Sequence, residues 1–212
     1  MKNENISSQS FFRTFNGNCT NNSFDIYVDD KLFNRDLLYK DFSVYTPITA
    51  GKHTVALTLN GDSNIIINRD IYIKPYQIYT LIIAINSKTL SSNLYFIEDT
   101  RKKIPKDSCL VRIGNFCTEK EILELSFLEN LRVFKKVFSA SMSNYMRFNG
   151  ETFTISTKYM NNKDSFISDT SFTFKPYRIY TIYILGDGSA CYPFECLLSI
   201  DGSSFLSFSN VS

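Results

Sequence analysis

Ile71-Tyr72-Ile73-Lys74-Pro75-Tyr76-Gln77-Ile78-Tyr79-Thr80-Leu81-Ile82-Ile83-Ala84 recurs, slightly altered, as Phe172-Thr173-Phe174-Lys175-Pro176-Tyr177-Arg178-Ile179-Tyr180-Thr181-Ile182-Tyr183-Ile184-Leu185. Each copy reads as a β-rich segment, a Lys-Pro-Tyr turn and a dense apolar strand. Proline fits the turn because its ring fixes φ and removes a ladder donor.

The correspondence extends in both directions from this stretch. Upstream, Phe24, Ile26 and Val28 alternate with Asp25 and Tyr27, the pattern of a half-buried strand. Asn60-Gly61-Asp62 is a hairpin signal between His53 to Leu59 and the apolar pieces Ile65 to Ile67 and Ile71 to Ile73. Asp41 to Tyr45 reads as a further short strand. In the second copy Arg112 falls where Arg13 does, Tyr145 matches Tyr45, Gly150 matches Gly51, and Asn161 to Asp164 replaces the Asn60-Gly61-Asp62 turn. Glu119 to Leu128 carries Ile122, Leu125 and Leu128 at helical spacing, but its partner segment has period two, so a strand is expected there. Short strands with frequent turns predict an all-β chain of two tandem antiparallel β-sandwich domains, immunoglobulin-like or transthyretin-like. The expected division is a leader at 1–10, one repeat at 11–100, a charged linker at 101–107, a second repeat at 108–206 and a tail at 207–212.

Composition supports a globular chain. Of 212 residues, 43% are hydrophobic and 21% charged, and the 19 Phe and 13 Tyr favour strands. The formal net charge of +2 supplies no field to draw in nucleic acid. No run approaches the length of a membrane helix, and the polar start lacks the apolar core of a signal peptide. The expectation is therefore synthesis in the cytoplasm without a classical signal, with no nucleic-acid partner and no transmembrane segment.

Chemistry-bearing motifs are sparse. His53 is the single histidine, and Thr152 replaces it in the second copy, so it reads as an ordinary strand-end side chain. The five cysteines form no Cys-x-x-Cys pair. Cys19, Cys117, Cys191 and Cys196 are candidates for crosslinks between chains, set against the reading of small buried hydrophobes. No register of acids matches a calcium loop, no glycine-rich loop matches a phosphate cradle, and no serine sits in a nucleophile elbow. No catalytic residue, metal ligand or cofactor is assigned, and the chain is expected not to be an enzyme.

The tyrosines remain. Tyr79 and Tyr180 each follow a turn proline at the same distance and are expected to bond their hydroxyls to nearby backbone, as tyrosine corners do. Tyr76, Tyr177 and Tyr192 are the candidates for an exposed glycan or protein contact. Phe153 to Thr157 and Phe172 to Phe174 carry no charge, so either would be a poorly guarded edge if placed there.

Together, Arg13-Thr14-Phe15-Asn16, Phe24-Asp25-Ile26-Tyr27-Val28-Asp29-Asp30, Ala50-Gly51-Lys52-His53-Thr54-Val55 and Lys74-Pro75-Tyr76-Gln77-Ile78-Tyr79-Thr80 resemble the bacterial domain of unknown function numbered 4397. The resemblance covers about residues 11 to 99 and 109 to 205. It implies β-sandwich domains, frequently in tandem and frequently on exported or cell-envelope proteins, and it carries no catalytic residues. The first loop, Asn16-Gly17-Asn18-Cys19, departs from the Ala-Ser-Pro-Asp-like residues common in the family. The resulting expectation is a non-enzymatic structural or protein-interaction module, in the setting of a spore coat or cell envelope, that self-associates or docks on a protein partner. The alternatives are a carbohydrate-binding module using Tyr76, Tyr177 or Tyr192, and a hydrolase whose paired carboxylates the sequence does not reveal.

Overall fold

The computed structural model describes residues 9–86, 88–101, 104, 106–118, 122–127, 132–159, 166–204 and 206. Most of the leader, the whole of the tail, part of the linker and the Asn161 to Asp164 turn lie outside the described residues.

The first half contains β1 (Gln9–Asn16), β2 (Phe24–Val28), β3 (Lys31–Leu37), β4 (Thr46–Thr49), β5 (Gly51–Leu59), β6 (Ile65–Ile73), β7 (Ile78–Ile85) and β8 (Ser92–Asp99). One sheet has the order β4-β1-β7-β8 and the other β3-β2-β5-β6. The second half contains β9 (Ser108–Asn115), β10 (Ile122–Phe127), β11 (Arg132–Phe138), β12 (Ser141–Met142), β13 (Met146–Asn149), β14 (Thr152–Tyr159), β15 (Phe166–Thr173), β16 (Ile179–Leu185) and β17 (Glu195–Ile200). Its sheets run β12-β9-β16-β17, with β13 also on β9, and β11-β10-β14-β15.

The chain is all-β and its sheets are largely antiparallel. One ladder in each half runs parallel: Arg13 pairs with Thr80 between β1 and β7, and Arg112 with Thr181 between β9 and β16. A parallel pair needs a long crossover, and here the crossover contains the entire opposite sheet, together with β4 in the first half and β12 and β13 in the second.

The continuous apolar runs follow from burial on two faces. Leu81 and Ile83 of β7 point into the first sandwich core with Phe12, Phe24, Ile26, Val55, Leu57 and Ile73. Ile82 and Ala84 point the other way, into a second cluster with Phe15, Phe116, Tyr183 and Leu185. A strand buried on both faces loses the polar alternation of a half-exposed one. β16 repeats the arrangement, with Ile182 and Ile184 in its own core and Tyr183 and Leu185 in the shared cluster.

The Lys-Pro-Tyr turns occupy equivalent places, after β6 and after β15, and put Tyr76 and Tyr177 at φ of 57° and 58°. Gly150 lies against the second of these turns, where a Cβ would come 2.4 Å from Cδ of Pro176. The residues from 122 to 127 form a strand, as their period-two partner implied.

Two local expectations change, and one open alternative is decided. Ile65 to Ile73 is one strand because the long β5 pairs along it, with one register shift that leaves Ile66 without a β5 partner. Asp41 to Tyr45 yields only an isolated bridge from Phe42 to Phe15 before β4 begins. Phe153 to Thr157 lies inside β14, between β10 and β15, so its missing charges reflect burial rather than an open edge.

Candidate functional site

The most polar buried region is the seam where β1, β7 and β8 face β9, β16 and β17. Arg13 and Arg112 enter it from equivalent strands, and both are buried. Arg13 donates from Nε to Thr80 Oγ1 at 3.0 Å, and Thr80 donates to Asp99 Oδ2 at 3.0 Å. In the other half Arg112 donates from Nε to Thr181 Oγ1 at 2.8 Å, and Thr181 donates to Asp201 at 2.9 Å.

Each guanidinium then crosses to the opposite half. Arg13 Nη1 reaches the Ile200 carbonyl at 3.3 Å, and Arg112 Nη1 reaches the Glu98 carbonyl at the same distance. Arg112 also binds the Asp99 carboxylate, while Arg13 Nη2 stays 3.6 Å from Asp201. Tyr45 donates to Asp99 at 2.9 Å and Tyr145 to Asp201 at 2.8 Å. Their rings lie 4.5 Å from the Arg13 guanidinium and 4.7 Å from that of Arg112 respectively, within cation–π range.

The electrostatics follow from this crossing. Burial pushes the Asp201 carboxyl up, and Arg112 and Arg13 oppose that push. Burial would lower the Arg112 guanidinium, yet Asp201 and Asp99 together raise it. Burial lifts Tyr45 and Tyr145 far above the ordinary phenol range, so both act as hydrogen donors. Two cations and two anions out of water require this degree of mutual pairing. The arrangement has reciprocal contacts on each side, as an isologous interface does.

At the rim Tyr192 meets Tyr39 edge to face at 5.4 Å, and Lys40 forms an ion pair with Glu195 at 2.8 Å. The Gly186 to Pro193 insertion therefore packs against the first half. Tyr192 is occupied in this contact, whereas Tyr177 is exposed at the opposite end of β16 and Tyr76 stands on the equivalent turn of the first half. The structure does not gather the three into one platform.

Tyr79 and Tyr180 accept from the Lys74 and Lys175 amides at 3.1 and 3.0 Å, the tyrosine-corner geometry. The Asn-rich loop also has a structural task. Asn16 donates to the Leu37 carbonyl at 2.9 Å and accepts from the Asn18 amide, and Asn115 does the same with Val137 and Cys117.

Cys19 and Cys117 are buried, which closes both to contact with another chain. Burial and nearby Asp187 push the Cys19 thiol up to about 11. Cys196 is half-buried in β17, and Cys191 is exposed.

His53 sits between Asp29 Oδ2 at 2.6 Å and the Thr49 carbonyl at 2.9 Å. The Thr54 amide and then His53 hold the Asp29 carboxyl below its ordinary range.

An open cleft is lined by Asp25, Tyr27, Arg35, Asn60 and Asp62. Asp25 accepts from the Asp36 amide at 2.8 Å. Bonds from Asn64 hold Asp62 below the ordinary carboxylate range, the reverse of what a general acid needs.

The sheet ends differ in protection. β3 carries Lys31, Arg35 and Asp36 and two register shifts, the charges and bulges that deter strand pairing. β6 has one register shift against β5, next to Ile66, and exposes Ile65 by 58%, Ile66 by 44% and Tyr72 by 67%. Its charges are engaged by its own half, Arg69 with the Leu94 carbonyl at 2.8 Å and Asp70 with Lys52 at 2.6 Å. β15, the equivalent end strand, shows Asp169, Ser171 and Thr173 to solvent.

Sequence reasoning paired Arg13 with Arg112 and Tyr45 with Tyr145 but did not foresee the seam. The available signal was Arg, Thr and Asp recurring together in both copies within otherwise apolar strands. Among the described residues, no cluster of three or more His, Cys, Asp or Glu is arranged to hold a metal.

Comparison with known proteins yields distant likenesses and one family. Among solved structures, the Bacillus anthracis TIE protein aligns at 11% identity and a TM-score of 0.27, covering 84% of this chain and 34% of that one. A leucine-rich repeat protein from Bacteroides thetaiotaomicron aligns at 8% identity and a TM-score of 0.20, covering 84% of this chain and 26% of that one. The chain thus spans about a third or less of these proteins. No curated protein matches it. The model of a domain of unknown function, DUF4397, matches residues 10–124. That match takes in β1 to β8, the first Lys-Pro-Tyr turn and the Arg112 strand, and on it the chain belongs to the DUF4397 family.

Proposed function

We propose that this chain is a non-enzymatic structural module that docks on other proteins through its open sheet edges, in an assembly such as a spore coat or cell envelope. The observation that carries the reading is β6, a long end strand with exposed Ile65, Ile66 and Tyr72, whose charged Arg69 and Asp70 are engaged within the same half. Half of the N–H and C=O groups of such a strand point away from the sheet and are satisfied by an added strand.

The buried seam supports the same reading. Its arginines, aspartates and tyrosines are engaged with one another and hold two sheets together, so their chemistry serves the body of the protein. The rival is glycan binding at Tyr177, which is exposed on its turn.

Light scattering of the intact chain across a concentration series in reductant, with a glycan array on the same preparation, separates the two. Concentration-dependent association without glycan binding supports docking. A chain that stays monomeric and binds glycan, with binding lost in Tyr177→Ala, overturns it.

A further inference from the structure

We propose that the end of the molecule carrying the two Lys-Pro-Tyr turns docks on an anionic phospholipid bilayer, with Tyr76 and Tyr177 at the headgroup level and the cations around them facing lipid phosphates. This surface goes beyond the docking reading and does not depend on it.

The fold brings the two turns to one end. β7 starts there with Ile78 beside Phe11 of β1, and β16 with Ile179 beside Leu110 of β9. Across the seam Arg112, which pairs with Thr181, reaches the carbonyl of Glu98, the β8 residue opposite Tyr79, so the two strands start at one level. The linker ends meet both turns: Arg101 donates to the Tyr76 carbonyl, and the Ser108 carbonyl accepts from the Tyr177 amide at 3.0 Å. Each turn is pinned by its tyrosine corner, and the first also by Ser10, which donates to the Lys74 carbonyl at 2.7 Å and accepts from the Gln77 amide at 3.0 Å. Turns held in this way present their side chains with little ordering cost on binding.

The charge at this end is one-sided. Glu98 is paired with Lys74 at 2.9 Å and Asp107 with Arg147 at 2.9 Å. Lys106, Lys175 and Arg178 have no ion-pair partner among the described residues, and the unpaired carboxylate beside them is Glu151, whose carbonyl accepts from the Phe174 amide. Asp29 and Asp30 turn back earlier: the Asp29 amide bonds to Thr54, three residues along β5 from Gly51, which stands opposite Ile73. At about 3.3 Å per residue these acids lie roughly 10 Å behind the turns.

Tyrosine beside lysine and arginine suits a membrane–water interface, where the ring sits among headgroups and the cations meet phosphates. Stacking on a nucleic-acid strand needs rings along a continuous groove, whereas these project from two separate turns, as contact with a flat surface requires. Two equivalent turns in one chain also engage together, which strengthens two individually weak contacts.

The probe is a vesicle of phosphatidylglycerol and phosphatidylcholine, cosedimented with the intact chain at low salt beside vesicles of phosphatidylcholine alone. The chain should bind the anionic vesicles only. Lys175→Glu with Arg178→Glu should weaken binding roughly tenfold or more. Arg35→Glu with Lys88→Glu makes the same change in net charge away from the turns and should leave binding close to wild type. Tyr177→Ala keeps the charge and should weaken binding severalfold. Unfolding midpoints verify that each variant folds.

A wild-type chain that binds neither vesicle, or equal losses in the two charge-reversal variants, overturns the proposal. Preference for duplex DNA over the anionic vesicles overturns it in favour of a nucleic acid. Self-association measured without vesicles reports on β6 alone, so the two readings fail separately.

Discussion

Arg112 and Asp99 stand 13 positions apart in the chain and form a buried ion pair that joins the last strand of the first half to the opening strand of the second. The equivalent pair, Arg13 and Asp201, is separated by 3.6 Å, and Arg13 Nη2 has no hydrogen-bond partner among the described residues. The two crossings are alike in design and unequal in strength.

That inequality predicts unequal mutational costs. Arg112→Met should destabilise the protein by about 3–5 kcal/mol, because Asp99 is then left buried without its charged partner. Arg13→Met should cost less. Arg112→Met combined with Asp99→Leu should recover much of the loss, since no unpaired carboxylate remains. Urea unfolding midpoints check all three, and equal costs for the two arginines would refute the ranking.

Tyrosine-to-phenylalanine substitutions should differ in sign. Tyr79→Phe and Tyr180→Phe each remove the acceptor for a backbone amide and should cost about 1 kcal/mol. Tyr183 is fully buried, and its hydroxyl has no hydrogen-bond partner among the described residues. Tyr183→Phe should therefore be neutral or stabilise by about 1 kcal/mol. Thermal unfolding distinguishes the cases.

The cysteines should react in a set order. Cys191 is exposed, so alkylation of the native protein should label it first. Cys19 should resist at mildly alkaline pH, because it is buried and its thiol is pushed up to about 11. Peptide mapping after timed iodoacetamide treatment reads the order directly.

Asp29 predicts an acid dependence. Its folded-state pKa is depressed, first by the Thr54 amide and then by His53. Its contribution is therefore present above the unfolded value of about 3.9 and lost as pH falls through the lower folded value. Asp29→Asn suits the left-handed backbone at φ 50° and removes this contribution. The stability gap between wild type and variant should close as pH falls through that window; a gap that stays constant would show that Asp29 is not responsible.

Much of the architecture was legible because duplication printed it twice. The Lys-Pro-Tyr turns, the tyrosine corners and the apolar strands after them recur in both copies, and the structure places each pair equivalently. The seam was not legible, since alternation along β7 reports only that both faces are buried and does not say what covers the second. Ile82 and Tyr183 look like ordinary core positions in sequence, although they face the other half of the chain. Phe153 to Thr157 left both placements open for a related reason: absence of charge marks a central strand as readily as an unguarded edge.

Hydrogen exchange of the intact protein, followed from dilute to concentrated solution, tests edge docking most directly. Outward-facing amides of Ile65 to Ile73 should gain protection as concentration rises, while those of β3 and β15 do not change. Exchange along β6 that is the same at every concentration would contradict docking at this edge.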